Sequence, residues 1–134
     1  MSVVALVTWI IAAGLGFVML AQWVSRGGAR AASAGGGTTS FTPALVFGHF
    51  LLAATGLVVW IIYLVAGTDA LVWVAFALLA VVAVVGEVMF LRWFRGRSTG
   101  ATVESKFPTG VVYAHGLFAV VTAVLVLLVG LGVG

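Results

Sequence analysis

Apolar residues fall in four long, uninterrupted runs: Val3 to Val24, Pro43 to Ala66, Ala70 to Leu91 and Pro108 to Gly132. Polar and charged residues collect between them and almost never inside. Each run is long enough for the ~20 residues a membrane-crossing helix needs. The runs do not alternate as barrel strands would, and only helices or closed barrels satisfy their backbone groups in lipid. The pattern predicts an all-α integral membrane protein, a single transmembrane domain over residues 1–134, with loops at 25–42 and 92–107. The connection near Asp69 is short, so the second and third spans are antiparallel neighbours. An up-down-up-down four-helix bundle follows, with the second and fourth spans on one diagonal and the first and third on the other.

Composition agrees: 64% of residues are hydrophobic and 7% charged, against roughly a quarter charged in a soluble domain. The first run has no basic residues ahead of it and exceeds the apolar core of a signal peptide, so it is expected to be a mature helix. With no cysteine, disulfide and thiolate chemistry are excluded. The arginine, alanine, glycine and valine usage is that of a GC-rich bacterial gene. Arg26 and Arg30 follow the first span; Arg92, Arg95, Arg97 and Lys106 lie between the third and fourth. The positive-inside bias puts these loops in the cytoplasm and both termini outside, in the cytoplasmic (inner) membrane of a bacterium. Topology accounts for the cations, so no nucleic acid is expected as a partner.

The two halves also match each other. "GFVMLAQW" (16–23) and "GEVMFLRW" (86–93) share Gly, Val, Met and Trp at equal positions, and Met19 and Met89 are the only methionines besides Met1. "FGHFLLAATG" (47–56) and "YAHGLFAVVT" (113–122) bring the only two histidines, His49 and His115, into register. This reads as a duplicated two-helix unit whose copies insert the same way up, related by an axis along the membrane normal. Six to seven residues separate each histidine from its proline, and seven separate Gly16 from Trp23 and Gly86 from Trp93. All four residues therefore lie about 10 Å in from the loop side. Glu87 shares that level.

Intramembrane ionisable residues are functional candidates by default. Two imidazoles on diagonal helices, with glycines on the other diagonal, suit one b-type haem held by both histidines. Gly16 and Gly86 would give clearance, Met19 and Met89 soft packing, and Arg92 and Arg95 (with Arg26) partners for the propionates. That layout resembles the haem-bearing four-helix core of the cytochrome b family. The resemblance implies axial ligation by His49 and His115, clearance at Gly16 and Gly86, and electron transfer or haem handling with a redox partner or second membrane subunit. The family's second haem has no counterpart, since Tyr63 and Val129 stand where its ligands would be.

Two other readings compete. His49, His115 and Glu87 would make a metal site or a proton-handling transporter component. Against this, Glu87 is matched by Phe17 in the other half, and no continuous polar path crosses the outer half. Alternatively the chain is an accessory subunit without cofactor, its histidines bridging helices, Ala12 and Gly16 a close-packing pair, and Trp23 and Trp93 an interfacial belt. No nucleophile, phosphate loop or paired carboxylates are present, so an enzyme is not expected.

Overall fold

The computed structural model describes residues 1–34 and 38–134; part of the expected 25–42 loop, residues 35–37, lies outside them. Four long helices cross the bundle: α1 (Ser2–Ser25), α3 (Pro43–Ala66), α4 (Ala70–Gly96) and α5 (Thr109–Gly130). A single-turn helix, α2 (Gly28–Ser33), follows α1, and a 3₁₀ turn covers Glu104–Lys106 before α5. All four long helices are apolar and long enough to span a bilayer. The protein is thus a multi-pass membrane protein.

Start signals act as the sequence suggests. Pro43 opens α3, where its missing N–H is not needed, and the Thr42 hydroxyl caps the helix by accepting from Leu45 N at 3.2 Å. At the end of α1, Gly27 takes a left-handed φ of +84°, and Gly28 lies flat against the Trp23 indole, where any Cβ would collide. The Gly-Gly pair turns the start of the loop back against Trp23, and residues 28–33 of that loop are helical.

α1 packs most closely on α5, and α3 on α4; α4–α5 and α1–α3 complete the ring. α1 is therefore opposite α4, and α3 opposite α5, as the loop lengths predict. α4 runs five residues beyond the expected end at Leu91. Trp93 drives this extension: it is 2% exposed, packed with Trp23, Phe41 and Phe107, and holds the last turns on the core. This corrects the expectation of an interfacial belt, since Trp23 at 1% exposed and Trp93 both face inward. Valine and leucine cover the outer surface instead, as a helix facing lipid requires.

The core has two parts. Trp9, Trp60, Val72, Ala75, Leu79 and Val126 fill the half nearer the termini, with Tyr63 stacked on Trp60 at 4.9 Å and Val129 packed beside them. Trp23, Phe41, Val46, Trp93, Phe107 and Val112 fill the half nearer the loops. The histidine level lies between these two clusters.

Candidate functional site

His49 on α3 and His115 on α5 meet across the bundle, their ring centroids 6.2 Å apart and their planes inclined at 64°. Each ring lies over a glycine of the neighbouring helix. A Cβ on Gly16 would stand 3.0 Å from His115 Cε1, and a Cβ on Gly86 3.0 Å from His49 Cε1. The glycines make room for the imidazoles themselves. By removing the side chain above a helix carbonyl, they also open that carbonyl to a third group.

His115 takes that opportunity. Its Nδ1 lies 2.8 Å from the carbonyl oxygen of Ala12, one turn before Gly16. A carbonyl only accepts, so Nδ1 carries the proton and Nε2 keeps its lone pair. His49 occupies the matching place over Gly86, facing the backbone of Val82, one turn before that glycine. Its Nδ1 is buried and makes no hydrogen bond of ordinary geometry. Anchoring one ring nitrogen on a backbone carbonyl is how proteins orient an imidazole whose other nitrogen binds a metal.

Glu87 departs from this layer. It is exposed on the outer face of α4, turned away from the histidines. Among the described residues, no group of three His, Cys, Asp or Glu side chains is placed to hold a metal ion. The structure brings the two histidines and two glycines together and leaves the carboxylate out.

Below the histidines, Met19 and Met89 pack against the Trp23–Trp93 cluster, both half-buried. Arg92 donates to the Ser40 carbonyl at 2.9 Å and Arg26 to the Lys106 carbonyl at 3.3 Å, so both engage loop backbone. Arg95 is exposed and makes no side-chain hydrogen bond among the described residues. Arg97 stacks over Phe94, its guanidinium carbon 4.2 Å from the ring centroid.

The residue sequence reasoning missed is Glu104. It is fully buried, with 0% of its surface exposed. Its carboxylate accepts from the Thr39 hydroxyl at 2.8 Å and from Ser40 N at 2.6 Å, and also from the Ser40 hydroxyl. The Thr39 hydroxyl in turn accepts from the Trp23 indole at 3.1 Å. Val103 N donates to the Thr38 carbonyl, and Phe41 and Phe107 pack with centroids 6.5 Å apart. Glu104 therefore joins the two loops directly ahead of α3 and α5, the helices that carry the histidines. One acid in a loop of opposite charge was the sole sequence sign of it.

The donor set offers two imidazoles, one with a fixed tautomer, and one orphaned buried nitrogen on the other. The 6.2 Å separation and 64° inclination are those of an edge-to-face ring pair. By donor chemistry alone, a pair of imidazoles at one level is a set that a metal group with two open axial positions could use. Comparison with protein-family models, with curated proteins and with solved structures gives no match, so these residues themselves carry the functional reading.

Proposed function

We propose that the protein is a membrane b-type haem protein with one haem held by His49 and His115, serving electron transfer or haem handling near the loop face. The observation that carries the reading is the facing imidazole pair, each ring seated over a glycine, with His115 aimed by the Ala12 carbonyl. A haem supplies reversible one-electron chemistry between ferric and ferrous iron. The chain's residues supply the rest. The Ala12 carbonyl orients the His115 ring. Trp9, Trp60 and their neighbours fill the terminal half, which leaves one haem level instead of a transmembrane stack. Met19 and Met89 offer soft contacts one turn below, and Arg95 is a rim cation that binds no loop carbonyl among the described residues. The rim faces the cytoplasm by the positive-inside bias, which leaves both termini outside.

We read the bundle as a duplicated pair of helices. Equivalent contacts recur: His115 on Gly16 and His49 on Gly86, Trp23 with Phe47 and Trp93 with Tyr113. His49–His115 and Phe41–Phe107 pair matched residues with each other, as contacts on a twofold axis must. A shared central ligand suits that symmetry.

A second reading has its own support. The two rings already meet edge to face, and His115 is satisfied by Ala12, so the pair also serves as a helix-to-helix bridge in a cofactor-free accessory subunit. The test separates them. Protein purified after expression with haem supplied is examined oxidised and dithionite-reduced. The haem reading expects a six-coordinate low-spin spectrum that is lost in both His49→Ala and His115→Ala. A colourless, folded protein favours the bridge.

A further inference from the structure

Glu87 is a carboxyl group on the lipid-facing surface of a membrane helix. Such groups almost always face a bundle interior or a polar partner, and this one does neither among the described residues. Arg92, the nearest cation along α4, is five residues on, about 7.5 Å nearer the loops. Side chains on a helix lean toward its N-terminus, and α4 begins at the terminal face. Glu87 therefore leans deeper into the bilayer and away from the basic rim.

The matched position on α1 shows that the fold does not need a carboxyl there. Phe17 stands at that place, 55% exposed, and closes the α1–α3 seam edge-on against Phe50 with centroids 5.2 Å apart. On the α4–α5 side the corresponding residues are Glu87 and Gly116. Gly116 is exposed, and a Cβ there would meet nothing within 4 Å. One seam is plugged by two aromatics; the matched positions of the other are an exposed acid and an exposed glycine. Small residues allow a neighbouring helix to approach closely, and polar groups then bond across the contact.

We infer that the α4–α5 seam at Glu87 and Gly116 is a docking site for a transmembrane helix of another protein that carries a lysine or arginine at this depth. A second copy does not meet that requirement. Arg26, Arg30, Arg92, Arg95, Arg97 and Lys106 all sit at the loop end, and copies inserted the same way keep them there. Like-oriented copies meeting at this seam would oppose Glu87 to Glu87.

The test uses the full chain in lipid vesicles with a labelled leucine-rich host helix carrying one arginine about five residues inside its apolar stretch. Association is read by energy transfer. The expected result is association that falls about 3- to 30-fold for Glu87→Gln and for a host helix with leucine in place of arginine. Gly116→Phe, which adds a ring in open space, should weaken it with the bundle still folded. A Glu87→Lys variant should recover association with a host helix carrying glutamate. Equal association with both host helices, or no loss in Glu87→Gln, overturns the proposal. So does Glu87-dependent energy transfer between copies of the chain itself.

Discussion

Replacing Gly16 with alanine adds one methyl group, and its effect follows from two distances. The new Cβ would lie 3.0 Å from His115 Cε1 and 3.4 Å from Nδ1. The ring must move away by a few tenths of an ångström, yet its Nδ1 is tied to the Ala12 carbonyl at 2.8 Å. Overpacking of this kind costs roughly 1–3 kcal/mol, and loosening the hydrogen bond adds about 0.5–1.5 kcal/mol. Alanine's better helix propensity returns about 1 kcal/mol. The net expectation is a destabilisation of roughly 0.5–3.5 kcal/mol on these terms; Gly86→Ala, where the His49 ring has no hydrogen bond to loosen, should cost roughly 0–2 kcal/mol. Gly14 on α1, Gly48 on α3 and Gly116 on α5 are internal controls, because a Cβ at each meets nothing within 4 Å. Their alanine variants should be neutral or up to about 1 kcal/mol more stable. Reversible unfolding in mixed micelles by titration with denaturing detergent reads these differences. If Gly16→Ala and Gly14→Ala shift the midpoint equally, the close seating of the imidazole is refuted.

Glu104→Ala should destabilise by roughly 2–4 kcal/mol, since it leaves the Thr39 hydroxyl and both Ser40 donors without their acceptor, and proteolysis between residues 38 and 42 should quicken; an unchanged cleavage rate would contradict the joining of the two loops by Glu104. Trp23→Phe removes the indole donation to Thr39 and leaves a cavity where the ring lies against Gly28, and should cost roughly 2–4 kcal/mol in the same unfolding assay. Glu87→Gln should leave both bundle stability and any haem spectrum unaltered, because its side chain faces away from the histidines; a shifted spectrum would place it back in the site. Gly86→Leu should abolish haem uptake, and full occupancy in that variant would remove the steric role given to this glycine.

The spans were legible because lipid demands unbroken apolar runs, and the diagonals because the connection at Asp69 is too short for any other partner. Depth was legible as well, since 1.5 Å per residue turns a count from Pro43 or Pro108 into a level. Azimuth was not. Glu87 follows Gly86 by one residue, a rotation of about 100° around the helix, so the same level that holds Gly86 inside puts Glu87 outside. Trp23 and Trp93 carry the opposite lesson: seven residues from Gly16 and Gly86 is nearly two full turns, which returns them to the inward face. The hydrogen bond to Ala12 lay behind the Ala12–Gly16 pair, whose spacing signals close approach without naming what approaches. Glu104 was beyond reach, because burial of a loop acid depends on contacts between segments about 65 positions apart.

The central claim is that His49 and His115 share one iron. Near-infrared magnetic circular dichroism of the ferric protein, with haem quantified per chain, reads the axial ligands directly. One haem per chain with a bis-imidazole signature, lost when either histidine is replaced by alanine, is the expected result. A folded protein that takes up no haem, or one that keeps the bis-imidazole signature without either histidine, would contradict it.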